Sequence, residues 1–104
     1  MELIIASSTT DNDVTVSVTG EVDVANADGL RDKIDGAFED SATSVVVDLE
    51  KCSYIDSTGI GVLVGAATKA SELDVEFSVV KPQANVLRVF TLLGVDEQLN
   101  VVEA

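Results

Sequence analysis

One stretch, residues 45–70, restricts the fold of this chain more than any other, and at its centre is the turn Asp56-Ser57-Thr58-Gly59. Before the turn, Val45-Val46-Val47-Asp48-Leu49 is a short, mostly β-branched run bounded by Ser44 and Glu50. It predicts a strand buried on both faces. After the turn, Ile60, Leu63, Val64 and Ala67 recur at i, i+3, i+4 and i+7, the apolar stripe of an amphipathic helix that ends near Ser71. Asp56 and Ser57 are both good N-cap residues, because either side-chain oxygen can accept from the first free helix N–H groups. A hydroxyl is therefore expected at the positive end of a helix, beyond the carboxyl end of a central strand.

The other segments build a sheet and its cover around that unit. Residues 2–6 predict a short edge strand, and Asp11-Asn12-Asp13 a turn after a polar connection. Val14, Val16 and Val18 alternate with Thr15, Ser17 and Thr19, so this strand has one buried face and can form a hairpin with the first. Gly20-Glu21-Val22-Asp23 ends it, with Asp23 able to cap the next helix. Ala27, Leu30, Ile34 and Phe38 mark the inner face of that helix. Gly29 and Gly36 within it each cost about 1 kcal/mol relative to Ala, which suggests a close approach to the sheet. Residues 51–55 are expected as a loop before the Ser57 turn. Val75, Phe77 and Val79 predict a further strand. Pro82 is expected in the first turn of a last helix whose inner face is Val86, Leu87, Phe90 and Leu93, with Gly94 as its terminator. A final strand or turn is expected around Val101-Val102. The order β-β-α-β-α-β-α implies right-handed crossovers and an α/β domain with a mixed sheet of four to five strands. Clean alternation at residues 14–18 favours helices on one face.

Composition restricts what such a domain can do. At 104 residues the chain is expected to be one domain, residues 1–104, burying roughly two thirds of its unfolded surface. Nineteen Asp and Glu against six Lys and Arg give a net charge of −13, which repels nucleic-acid phosphates and anionic lipid. A basic protein partner suits it better. No leader pattern or apolar run of transmembrane length is evident, and a lone Cys52 excludes an internal disulfide framework. A soluble, cytoplasmic domain with no membrane and no nucleic-acid partner is expected. With no histidine, the commonest general base and metal ligand are both missing, so no metal or other cofactor is expected.

Four roles compete for the turn. Asp56 or Ser57 can simply cap the helix while Gly59 permits close packing. Nucleotide binding is disfavoured: Gly59, Gly61 and Gly65 resemble G-x-G-x-x-G, but Val64 occupies the third glycine's place and no phosphate-loop Lys is present after them. Gly61 and Gly65 are instead expected to let the helix press against a neighbour or the sheet. A serine-hydrolase elbow fails because Ile55 stands where glycine is needed and no His can activate Ser57. The fourth role is a phosphorylation site, an exposed hydroxyl at a helix N-terminus. On physical grounds a plain cap or a modifiable site remains.

Residues 46–49 together with Tyr54-Ile55-Asp56-Ser57-Thr58-Gly59-Ile60-Gly61-Val62-Leu63 resemble the signature of the STAS domain, and in particular the bacterial anti-sigma factor antagonists. Thr19-Gly20-Glu21-Val22-Asp23, followed by Ala27 and Leu30, is similar to that family's Gly-Glu-Leu-Asp segment and the helix after it. The resemblance covers essentially the whole chain. It implies a partner-switching cycle. The unphosphorylated antagonist binds an anti-sigma factor serine kinase and frees a sigma factor. The kinase uses ATP to phosphorylate Ser57, and a PP2C-type phosphatase resets the switch. In that cycle the chain is ligand and substrate, not enzyme, and is expected to be a monomer. Partner binding is expected at Gly20, Glu21, Asp23, Asp56, Ser57, Thr58 and Gly59. The alternative is a STAS scaffold or subunit in a stressosome-like or lipid-transport complex.

The same residues also have plainer roles. Glu21 and Asp23 can be a strand end and a helix cap, and Thr58 can pack in the helix turn or be a secondary phosphorylation site. Cys52 is expected to be a partly buried loop residue rather than a redox sensor. Asp48 is expected to solvate a strand end or brace the loop beside it. Asn26 stands where the family commonly has Thr. Residues 72–74 lack the glycine that often precedes the next strand.

Overall fold

A computed structural model describes residues 3–39 and 41–102. The elements are β1 (Ile4–Thr10), β2 (Asp13–Val22), α1 (Ala27–Glu39), β3 (Ser44–Ile55), α2 (Ser57–Leu73), β4 (Glu76–Val80), α3 (Ala84–Leu93) and β5 (Val101–Val102). They form a five-stranded sheet in the order β1-β2-β3-β4-β5. The β1–β2 hairpin is antiparallel and the other pairs are parallel, so the expected mixed α/β architecture is present. The hairpin is longer than the sequence pattern implies, because Ser7 to Thr10 pair with β2 and only Asp11 and Asn12 are left to turn. Glu2, expected in the first strand, lies outside the described residues.

Alternation determines which side chains enter the core. Val14, Val16 and Val18 of β2 line one face, and Val14 and Val16 pair in register with Val45 and Val47 of β3, which in turn pair with Phe77 and Val79 of β4. All are buried with the α1 stripe Ala27, Leu30, Ile34 and Phe38 and with Ile60, Val62, Leu63 and Ala66 of α2. Val46 and Asp48 are only half-buried, so β3 is closed on one face rather than on both.

The expected loop at 51–55 is strand instead. β3 continues to Ile55 and holds two more residues than β2, taken up at bulges between Ser17 and Thr19 and between Gly20 and Glu21. A bulge breaks the two-residue period, which is why Glu50 and Lys51 are both exposed and the strand is hard to recognise from its pattern. Asp48 Oδ1 accepts from Glu50 N at 2.9 Å and braces the first bulge. At the second, Gly20 has φ 114°, a conformation that side-chain-bearing residues rarely adopt.

The helices differ from expectation in their glycines and ends. A Cβ at Gly29, Gly36, Gly61 or Gly65 would meet nothing within 4 Å, so none of the four provides a close approach. Pro82 lies before α3, whose N-cap is Gln83. Of its expected inner face, Val86 and Phe90 are buried, Leu87 is half-buried and Leu93 is 55% exposed, since the helix stops there. Gly94 does terminate it, at φ 71° with its N–H bonded to Phe90 O and Thr91 O. Asp74 takes the same left-handed role after α2, where glycine is absent.

Cys52 is a fully buried strand residue. Burial pushes its thiol pKa up, partly offset by a backbone hydrogen bond from Tyr54 and assisted by the nearby Glu21 carboxylate. Near neutral pH it should resist a thiol reagent in the native protein and react readily once urea unfolds the chain, as absorbance assays would show. Because the folded-state pKa is raised, the thiol's contribution to stability is intact below the ordinary thiol pKa and lost as pH rises through that range.

Candidate functional site

The second bulge and the end of β3 bring the two sequence motifs together. Glu21 pairs with Tyr54 and Val22 with Ile55, and Asp56 N donates to Val22 O at 3.1 Å. The chain leaves β3 at this point and enters α2. Asp56 is extended, with φ −93° and ψ −177°, and its Oδ1 accepts from Thr58 N at 3.0 Å and Gly59 N at 3.1 Å. Asp56 is therefore the N-cap, and Ser57 is the first helical residue. Sequence reasoning left the cap open between them. The structure gives it to the carboxylate and leaves the hydroxyl exposed, with no hydrogen-bond partner among the described residues.

Gly59 explains why the helix can start so close to the strand ends. A Cβ there would lie 2.6 Å from Val22 Cγ1 and 2.7 Å from Ile55 Cγ1, both in buried side chains. Gly20 and Gly59 are both buried, so the first shapes the bulge and the second permits contact, and neither presents a side-chain surface.

The segment after β2 is tied down locally. Asp23 Oδ1 accepts from Ala25 N at 2.9 Å, Asn26 Oδ1 accepts from Asp23 N at 2.9 Å, and Asn26 Nδ2 donates to Glu21 O at 3.0 Å. Asp23 thus organises the turn ahead of α1, whose first helical residue is Ala27, rather than capping the helix directly. Asn26 clamps both sides of that turn. Glu21, Ser57 and Thr58 are exposed, and Asp23 and Asp56 are half-buried. The surface is held by hydrogen bonds to the backbone, carries three carboxylates, and has two exposed hydroxyls, Ser57 and Thr58, at a helix N-terminus.

Two residues to which sequence reasoning assigned no role belong to this surface. Val24, 75% exposed, follows Asp23, and Tyr54, 48% exposed, stands beside Glu21 across the strand pair. No sequence signal marks Tyr54: it stands two residues after the buried Cys52, and the bulge between them turns it outward.

Comparison with known proteins identifies the family and the fold. Residues 5–104 match the STAS domain. Over 103 residues, 99% of this chain and 95% of the relative, it is 31% identical to the anti-sigma-B factor antagonist of Staphylococcus aureus (strain NCTC 8325 / PS 47). The chain belongs to the STAS domain family. An anti-sigma factor antagonist from Mycobacterium paratuberculosis has a crystal structure that superposes with a TM-score of 0.90 at 25% identity, covering 99% of this chain and 87% of that one. The Bacillus protein SpoIIAA, solved unphosphorylated and phosphorylated, shares the fold with TM-scores of 0.79 and 0.73 at 22% identity, covering 97% of this chain and 88% and 91% of those chains.

Two substitutions test the local construction by urea denaturation. Asp56→Ala should lower stability by about 1 kcal/mol, with Asp56→Asn close to wild type because it keeps an acceptor. Gly59→Ala should cost about 1–3 kcal/mol, because Val22 and Ile55 must give way in a packed core.

Proposed function

We propose that this protein is an anti-sigma factor antagonist whose binding to an anti-sigma factor serine kinase is switched off by phosphorylation of Ser57 and restored by a PP2C-type phosphatase. The observation that carries the reading is the division of labour at the turn. Asp56 secures the helix, so the Ser57 hydroxyl is exposed and structurally unemployed. Its position at the first residue of a capped helix gives a kinase a nucleophile in a defined place, which matters because phosphoryl transfer depends mostly on positioning and electrostatics. The names of the S. aureus and M. paratuberculosis relatives support the reading. So does the existence of SpoIIAA, a protein of the same fold, in both phosphorylation states. The chain contributes no chemistry of its own in this cycle; ATP belongs to the kinase.

The proposed binding surface is Glu21, Asp23, Asp56, Ser57 and Thr58, with Gly20 and Gly59 shaping it from beneath. A phosphate on Ser57 adds about −1.5 to −2 charge to a region that already holds three carboxylates. Asp56 already accepts the Thr58 and Gly59 N–H groups, which would otherwise reward an anion at this helix end. The phosphate therefore gains little within the domain and acts mainly on the interface. About 3 kcal/mol of lost binding lowers affinity roughly a hundredfold, enough to redirect a competition between partners.

Incubation with the anti-sigma factor serine kinase of the same organism and ATP should place one phosphate, on Ser57, by mass spectrometry. Ser57→Ala should retain kinase binding while Ser57→Asp binds more weakly. Phosphate found only at other residues, or equal affinity of the two variants, would contradict the reading.

A further inference from the structure

We infer that Val24 and Tyr54, exposed on the two segments that meet at the candidate site, supply the apolar contacts that hold the kinase partner, while Glu21, Asp23 and Asp56 act chiefly to steer it. The inference rests on the proposed function and specifies how that surface would bind. Four aromatic residues occur in the chain, and the three phenylalanines, Phe38, Phe77 and Phe90, are all buried. Tyr54 alone is turned outward, at 48% exposure. Val24, at 75%, is among the most exposed of the large apolar side chains.

Neither side chain belongs to the buried core. Tyr54 projects from a strand pair that is already closed by Cys52 and Ile55, both buried. The turn that carries Val24 is held by Asp23 and Asn26 through bonds that do not involve the valine side chain. Both are nevertheless fixed relative to Ser57. Tyr54 is paired with Glu21, Val22 is paired with Ile55, and Val22 O accepts the Asp56 N–H. An apolar side chain on ordered backbone thus stands on each of the two segments that meet at the candidate site.

These two side chains also define the chemistry of the occupant. Tyrosine is among the residues that most often dominate binding energy when desolvated, because it brings a large area with few torsions to restrain. Rim carboxylates on a chain of net charge −13 raise the encounter rate with a cationic surface but add less to residence time. The matching partner surface is apolar where it meets Val24 and Tyr54 and has Arg or Lys around it. Phosphorylation then adds charge to the same surface without altering either apolar side chain.

The test measures binding kinetics of the same organism's anti-sigma factor serine kinase at two salt concentrations, alongside Ser57 phosphorylation. Tyr54→Ala and Val24→Ala should each weaken binding about tenfold or more, through faster dissociation and with the salt dependence unchanged. Tyr54→Phe should recover most of the loss. Glu21→Gln should slow association and flatten the salt dependence. Leu92→Ala, an exposed leucine near the far end of α3, should match wild type. If wild type binds and is phosphorylated on Ser57 but Tyr54→Ala and Val24→Ala bind within twofold of it, the apolar contact is overturned and the proposed function stands. If wild type neither binds nor is phosphorylated, the proposed function fails and this inference with it.

Discussion

Gly59 lies against Val22 and Ile55 so closely that a methyl group in place of its hydrogen would overlap both side chains. That contact sets the rest of the site. It allows α2 to begin directly over the carboxyl ends of β2 and β3, where Asp56 bonds the Val22 carbonyl through its N–H and the first helical amides through its carboxylate. Sheet, helix and cap meet within a few residues, and Ser57 is carried on the outside of the junction. Its position is therefore a consequence of core packing, although the side chain itself takes no part in that packing.

The separation of roles between Asp56 and Ser57 has a physical rationale. A hydroxyl that capped the helix would lose its bond on phosphorylation, and the modification would be coupled to the stability of the domain. A carboxylate cap leaves the helix start unchanged whatever happens next door. Under the proposed function, phosphorylation of Ser57 would then alter the charge of a fixed surface rather than its shape.

Much of the architecture was legible in the sequence where periodicity was uninterrupted. The α1 stripe Ala27, Leu30, Ile34 and Phe38 is buried throughout, and Val14 to Val18 face the core as their alternation implies. Legibility failed where an added residue shifts the period. The bulges in β3 put Glu50 and Lys51 outside together and disguised residues 51–55 as a loop. Glycines misled in the opposite direction: Gly29, Gly36, Gly61 and Gly65 suggested close approaches that are absent, whereas Gly59 makes one and Gly20 serves a strained bulge. Composition could not choose between Asp56 and Ser57, since both residue types make good caps. Val24, and the outward direction of Tyr54 within the family signature, were not legible because an isolated apolar residue in a sequence does not reveal which side of a strand or turn it occupies.

Independence of the switch from the fold is tested most directly by amide hydrogen exchange at Gly59, measured by NMR before and after phosphorylation of Ser57. Protection of that N–H reports the Asp56 cap and the first turn of α2 together. If the phosphate acts on the partner surface and not on the fold, protection should be the same in both forms while kinase binding is lost. A Gly59 amide that becomes unprotected on phosphorylation would mean that the switch works by releasing the helix start, and would contradict a switch carried by surface charge alone.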